Sequence, residues 1–204
     1  AGFTIEAFYN RLKDAFYLQP IGQDQHGELF EKQNGDGATV QGITLELRAN
    51  YNRKIQLESG FTIQSSKFDS PVEYIDGLAG IREFTRTPND YGYAILTFTP
   101  NKKWNATMNY LYTGKMKIPH FAGAPNQTID EIITSDAFSE LSAKIGYTLP
   151  IEKLGNNIEL YGGIKNIFNA YQDDFDIGKN RDSNYIYGFA QPRTFYIGIK
   201  LKSK

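Results

Sequence analysis

Residues 141–149 read Leu-Ser-Ala-Lys-Ile-Gly-Tyr-Thr-Leu, and this stretch decides the fold. Apolar side chains fill every second position, and the positions between them are polar or small. Because successive side chains of an extended strand point to opposite faces, this period of two predicts a β-strand with one apolar and one polar face.

The same alternation occurs in eight segments of the 204 residues, and no segment of comparable length shows the 3.6-residue period of an amphipathic helix. The predicted strands lie near residues 2–18, 38–51, 54–66, 91–99, 103–114, 137–149, 157–168 and 192–202. We therefore expect an all-β, antiparallel up-and-down meander of about eight strands. Because of the connections between its strands, we expect it to be part of a transmembrane β-barrel or to close as one.

The connections between these segments alternate strictly in length. The short ones are 52–54, 100–103 and 150–157. The long ones, rich in Gly, Asn and Asp, are 19–38, 65–90, 114–136 and 169–191. All long connections then leave the sheet at one rim, which is typical of bacterial outer membrane barrels with short periplasmic turns and long extracellular loops.

Composition limits the other classes of function. No run of roughly 18 or more apolar residues occurs, which excludes a transmembrane helix. Lys plus Arg number 22 against 23 for Asp plus Glu, and the absence of a basic block disfavours nucleic acid as a partner. There is no Cys, which removes disulfides and thiolate sites.

The alternation also predicts which face each side chain occupies. We expect the lipid face to carry Leu45, Leu47, Leu57, Phe61, Ala143, Ile145, Ile197 and Ile199. We expect the lumen face to carry Glu46, Arg48, Glu58, Lys144, Lys165 and Lys200. Four glycines fall on the polar face, where a strand glycine marks bending or close approach: Gly60, Gly146, Gly163 and Gly198.

Aromatic side chains suggest a girdle at each membrane interface, although aromatics also favour strands in general. Near the short-turn rim we place Phe3, Tyr51, Phe98, Trp104 and Tyr147. Near the long-loop rim we place Phe16, Tyr17, Phe68, Tyr110, Tyr112, Phe168 and Phe195.

Candidate ligand-contacting residues all lie in the long connections. His26 and His120 have no partner at metal-ligand spacing, so we expect solvated histidines, with contact to an iron chelate or haem as the alternative. The 173–182 stretch offers oxygen ligands at alternate positions but lacks the acidic residue that closes an EF-hand, so a solvated acidic loop is favoured over a calcium site.

Four loop aromatics could stack on a ligand or pack within their own loop: Phe121, Tyr185, Tyr187 and Phe189. Arg193 could point into the lumen or hold the rim, and we favour a structural role. Asp130 and Glu131 are adjacent and would point in opposite directions in extended chain, so they do not form a glycosidase pair. With no hydrolase, metalloprotease or phosphate-loop motif, we predict no catalytic, cofactor or metal residue and no enzyme.

Several stretches resemble the C-terminal part of TonB-dependent outer membrane receptors. Asn166-Ile167-Phe168-Asn169 is similar to that family's Asn-Leu-Phe-Asp/Asn motif, and 192–199 resembles its Pro-Arg-aromatic-Gly last strand. Residues 40–47 and Phe8-Tyr9 fit family strands further upstream. The resemblance covers essentially all of residues 1–204, which it identifies as the C-terminal portion of a receptor barrel without its plug domain.

The resemblance implies a plugged barrel of about 22 strands in the outer membrane. Its implied partners are membrane lipid, the periplasmic TonB system through the missing N-terminal part, and a scarce nutrient such as a ferric siderophore. Ala1 begins within a strand pattern with neither initiator Met nor signal peptide, which predicts a piece of a longer protein. The end at 201–204 lacks the terminal Phe common in such barrels, which suggests a trimmed end or puts efficient recognition by the assembly machinery in doubt.

Two other classes of protein stay open. One is a complete eight-stranded membrane barrel, acting as an adhesin, a structural protein or a lipid enzyme. The other is a soluble ligand-binding barrel of lipocalin type, whose connections would not need to alternate in length.

Overall fold

The computed structural model describes residues 1–14, 16–151, 156–189 and 191–203, which form thirteen β-strands. None of the described residues forms a helix that is long and apolar enough to cross a membrane. The strands are β1 (Gly2–Leu12), β2 (Phe16–Asp24), β3 (Gly27–Asn34), β4 (Ala38–Tyr51), β5 (Ile55–Val72), β6 (Ile81–Glu83), β7 (Asp90–Phe98), β8 (Trp104–Thr113), β9 (Lys117–His120), β10 (Glu131–Thr134), β11 (Phe138–Ile151), β12 (Asn156–Lys165) and β13 (Thr194–Ser203).

Eight strands form the meander that the alternation predicts. Their order in the sheet is β1-β4-β5-β7-β8-β11-β12-β13, every adjacent pair is antiparallel, and the short β6 adds to β5. This confirms the predicted fold class. β1 and β13 lie at the two ends of this order, so within the described residues the sheet is open rather than closed on itself.

Two predicted strands are too long. The first ends at Leu12, because Asp14 has a φ of 52° and so leaves the extended region, and a separate strand begins at Phe16. The seventh ends at Lys165, because Asn166 has a φ of 50°. Asn and Asp tolerate this left-handed conformation better than most residues, so both strand ends have a local cause.

The prediction that the long connections are only loops is also wrong. The first contains the hairpin β2–β3, with a bulge between Pro20 and Gly22. The second contains β6 and the far end of β5, and the third contains the hairpin β9–β10. These strands pair with their neighbours in sequence and are not part of the eight-strand meander. Their own alternation of apolar and polar residues extends over only a few residues.

The alternation of short and long connections places the two kinds at opposite rims of the sheet. At the short-turn rim, Asn52 and Arg53 both have positive φ, 51° and 55°, as a type I′ hairpin turn requires. Lys54 N donates to Tyr51 O at 3.0 Å across this turn. In the 150–157 connection, residues 152–155 lie outside the described residues.

The pairing register confirms the predicted division into two faces. Directly opposite residues of antiparallel strands share a face, and Leu45 lies opposite Phe61 while Glu46 lies opposite Gly60. In the C-terminal half, Ile145 shares a row with Ile197 through their common partner on β12. The apolar face is largely exposed in this chain.

The aromatic side chains fit the girdle prediction only in part. At the short-turn rim, Trp104 and Tyr147 pack on the apolar face with ring centroids 4.6 Å apart. Phe68, expected in the opposite girdle, instead lies on the polar face, 7% exposed in a small core with Ala38 and Val72. The prediction was wrong there because β5 continues to Val72, so Phe68 is inside a strand with a defined facing.

Strand glycines on the polar face lie under large side chains, which confirms the predicted close approach. A Cβ on Gly198 would overlap the Tyr161 ring, and one on Gly163 would overlap the Tyr196 ring. Tyr161 and Tyr196 also meet edge to face at 6.3 Å. An aromatic ring over a strand glycine buries backbone that would otherwise be exposed. The two tyrosine–glycine pairs therefore help to fix the register of β12 and β13.

We expect Gly198→Ala to destabilise this end of the sheet by about 1 to 3 kcal/mol, because the methyl group overpacks against Tyr161. The loss should shrink in a Tyr161→Ala background, where the obstructing ring is gone. Denaturant unfolding of the four proteins in this double-mutant cycle measures the coupling. Gly2→Ala is the control, since nothing lies within 4 Å of its Cβ, and strict additivity at Gly198 would contradict the packing.

Candidate ligand-contact site in the long loops

Two long connections pack together beyond the sheet and form a loop cluster, defined as residues 117–134 and 172–189. At its centre, Nε2 of His120 lies 3.0 Å from Oδ1 of Asp176. The His120 side chain is 7% exposed and that of Asp176 is 0% exposed. The His120 ring also stacks on Tyr185, with centroids 3.4 Å apart and ring planes 3° from parallel, so three side chains from two connections share one buried contact.

Further hydrogen bonds complete the environment of Asp176. Asn126 Nδ2 lies 3.4 Å from Oδ1, and Asp182 N donates to Oδ2 at 3.0 Å. Asp182 in turn accepts from Phe121 N at 3.2 Å. These contacts run back and forth between the two connections, so neither is packed independently of the other.

Asp174 binds two tyrosines of the same cluster. The hydroxyl groups of Tyr185 and Tyr187 donate to its Oδ2 at 2.6 Å and 2.8 Å. Burial, followed by the bond to the Asp174 carboxylate, raises the pKa of Tyr187 to about 12 and raises that of Tyr185 even further. Both hydroxyls therefore stay protonated donors at physiological pH.

Two more side chains fasten the 172–189 segment through its backbone. Gln172 is buried, donates from Nε2 to Tyr185 O at 3.1 Å and accepts from Tyr187 N at 2.9 Å. Arg86, from the connection between β6 and β7, donates to Ile186 O at 2.8 Å and also to Asn184 O. Three of the four long connections thus meet at one place.

The base of the fourth connection is held by the Asn-Ile-Phe-Asn segment. Asn166 is buried, and its amide donates to Ala170 O at 2.9 Å and Gln191 O at 3.0 Å. Asn169 Oδ1 accepts from Arg193 N at 2.9 Å. The segment therefore ties the start of the connection to its end, which gives this sequence motif a structural role.

The expectation of a solvated His120 and a solvated acidic 173–182 loop is wrong. His120 and Asp176 are buried against each other, and Asp174 and Asp182 accept internal hydrogen bonds. In the described part of the chain, no group of three or more His, Asp or Glu side chains is arranged to hold a metal ion. The alternating oxygens of this loop act as acceptors for its own donors.

The remaining candidate residues are spread around the cluster. His26 lies exposed in the β2–β3 turn, as expected. Among the aromatics, Tyr185 is buried, Phe189 packs on Phe138 at 5.9 Å, and Phe121 lies 6.4 Å from Phe30 of β3. These contacts favour packing within the loops over stacking on a ligand.

The structure also places the other polar candidates. The Arg193 side chain is exposed at the rim. Asp130 accepts from Ala122 N at 2.6 Å, and Glu131 accepts from Gln127 Nε2 at 3.1 Å. Both acidic groups therefore shape their own hairpin, in line with the absence of a glycosidase pair.

Sequence reasoning missed the residues that join the connections: Arg86, Asn126, Gln172 and Asp176 as the partner of His120. No local pattern marks them, because their partners lie up to 100 residues away. The surface that the packed loops present outward includes the exposed side chains Ile129, Ile177 and Ile186. Exposed apolar side chains on ordered polar loops are suited to contact with a bulky ligand.

An antiparallel sheet with one apolar and one polar face, short turns at one rim and joined loops at the other defines a sector of an outer membrane β-barrel. A family profile described as "TonB dependent receptor-like, beta-barrel" matches residues 1–167. The chain belongs to this family, and its location is the bacterial outer membrane. The comparison with curated proteins found no match.

Solved receptor structures share the fold. The ferric-catecholate import receptor Fiu of Escherichia coli K12 is 16% identical, with a TM-score of 0.62, over 98% of this chain and 25% of its own. The siderophore receptor PirA of Acinetobacter baumannii is 17% identical, with a TM-score of 0.62, over 98% and 29%. The copper transporter OprC is 14% identical, with a TM-score of 0.66, over 98% and 28%. This chain thus spans between a quarter and a third of the length of the structures that it matches.

Proposed function

We propose that residues 1–204 form the C-terminal portion of the barrel of a receptor that takes up a scarce nutrient, most specifically a ferric siderophore, with energy from the TonB system. The plug and the other strands would belong to the rest of a longer chain. The observation that carries this proposal is the family match over residues 1–167 of a sheet whose described strands leave it open at β1 and β13.

The structural neighbours support a metal chelate as the nutrient. Those proteins are receptors or transporters for ferric catecholate, siderophores, enterobactin or copper. In this chain the loop cluster would contribute one side of the outer mouth, where its exposed apolar side chains could contact a bulky chelate. In this role the chain carries out no chemical turnover.

The open sheet weighs against the two rival classes. A complete eight-stranded barrel and a lipocalin-type barrel both require the first and last strands to pair, because closure is what removes unpaired edges. In the described residues β1 pairs β4 and β13 pairs β12, and the two are not joined.

Uptake by the intact receptor that contains this chain tests the proposal. We expect replacement of residues 122–129, which include the exposed Ile129, by a short Gly-Ser linker to reduce uptake of ferric siderophore while surface expression stays normal. The replaced segment lies between β9 and β10, so the membrane-spanning sheet does not depend on it.

The matched control changes the opposite rim. Asn52→Gly combined with Arg53→Gly suits the positive φ of that turn, so assembly and uptake should both stay unchanged. Full uptake after the loop replacement would exclude a role of this loop in ligand capture. Uptake that does not require TonB would contradict the energised mechanism.

A further inference from the structure

The apolar face of the sheet carries a slot where three small residues are surrounded by large ones. Its floor consists of Ser59 on β5 and Ala94 on β7, and Gly92 on β7 lies at its loop end. The register places Ser59 beside Ala94 in one row, with Leu47 and Tyr110 as the next residues on either side. At this row the side chains of β5 and β7 are small, whereas those of the flanking strands β4 and β8 are large.

Aromatic packing closes the slot on the side of the long loops. Phe61 and Tyr112 stack over Gly92, with ring centroids 6.1 Å apart and planes at 24°. A Cβ on Gly92 would lie 2.6 Å from the Phe61 ring, so glycine is what allows this stack. The next row toward the short turns is filled by Leu57 and Leu96.

A hydrogen bond keeps the Tyr110 side chain, which forms one wall of the slot, away from its floor. The Tyr110 hydroxyl lies 3.0 Å from Ser139 Oγ on β11, so the Tyr110 ring is fixed toward β11 rather than over Ala94. The resulting groove has a volume of about 670 Å³. A second groove of about 820 Å³ shares Ile5, Leu45 and Phe61 with it.

This surface is continuous with the face that meets the outer membrane. A depression there is surrounded by hydrocarbon, and its walls are apolar side chains that gain nothing from holding water. At its loop end lies Asp90, whose negative charge does not favour a phosphate headgroup. The chemistry of the slot therefore recognises the hydrocarbon part of a lipid and not its head.

We propose that the slot floored by Ser59 and Ala94 holds one hydrocarbon chain of an outer membrane lipid in a fixed position. The chain would lie against the two small-residue strands between Leu47 and Tyr110. This binding site is separate from the loop cluster and does not depend on which nutrient the receptor imports.

Photolabelling of the intact receptor tests this assignment. The receptor is reconstituted in phosphatidylethanolamine vesicles that contain a tracer phospholipid with a diazirine at the end of one acyl chain. We expect the label to concentrate on peptides containing residues 59–61 and 92–94. Ala94→Phe should lower that label severalfold, because the added ring fills the slot and removes the packing contacts of the chain.

The control is Ala106→Phe, which adds the same ring to the same face on β8, outside the slot, and should leave the label unchanged. Ser59→Leu, which fills the other half of the floor, should repeat the effect of Ala94→Phe if that variant assembles poorly. Label spread in proportion to exposed area, or equally reduced by Ala106→Phe, would overturn the proposal. So would a receptor dimer cross-linked through the slot, because a second copy would then be the occupant.

Discussion

Ile145→Arg should lower the stability of the receptor in a bilayer by about 2 to 4 kcal/mol, the cost of moving an arginine to the lipid midplane of a barrel. Ile145 is 54% exposed on the apolar face near the middle of β11, and its row continues to Ile197. The charged side chain would therefore enter hydrocarbon rather than the lumen. Folding into vesicles at increasing denaturant measures the loss.

Lys144→Ala is the matched control, one residue away on the opposite face. Nζ of Lys144 lies 4.3 Å from the centroid of the Tyr161 ring, so its removal should cost only about 0.5 to 1 kcal/mol of cation–π attraction. Equal losses for the two variants would refute the facing of β11, and with it the assignment of the whole sheet, because the register links the rows of all eight strands.

Asp176→Ala should release the loop cluster while the barrel strands stay folded. The substitution leaves the buried His120 ring and the Asp182 amide without their acceptor, and a buried donor left without a partner costs about 1 to 3 kcal/mol. Since the lost contacts lie beyond the sheet, the cost should appear as local opening. The protection of backbone amides against hydrogen exchange should then fall about a hundredfold in residues 117–134 and 172–189.

Asp173→Ala removes the same charge from an exposed position three residues earlier, and it should leave exchange in both segments unchanged. Exchange in β11 and β12 serves as the internal reference. If Asp176→Ala opens only one of the two segments, they are not the single packed unit that the hydrogen bonds indicate. If uptake nevertheless stays normal, the packed cluster is not needed for ligand capture.

The strands themselves were predictable from the chain because their signal is local. A period of two needs only about five consecutive residues to appear, and each face of a membrane barrel has its own solvent, so the pattern in 141–149 or 43–51 is clear. The place of the short turn is equally local, because 52–54 interrupts the alternation. Strand ends were less accurate, because the left-handed conformation at Asp14 and Asn166 is not apparent from the alternation.

The loop cluster could not be predicted, because its contacts join residues that are distant in sequence. His120 meets Asp176 across 56 positions, and Arg86 reaches Ile186 across 100. Nothing beside His120 in the chain distinguishes a buried, paired histidine from a solvated one. The same holds for the slot at Ser59 and Ala94, since only the register shows that two small residues adjoin.

The alternation, the turn residues and the loop lengths can be read from residues that are neighbours in the sequence. They predict the all-β meander, its two faces and its two different rims. The tertiary structure decides which loop side chains are buried, which of them pair, and which rings lie over glycines. All three depend on which strands are neighbours and in what register they pair. Strand pairing and register depend on the free energy of the whole sheet. For this reason only the tertiary structure brings His120 to Asp176 and leaves the slot beside Ala94 open.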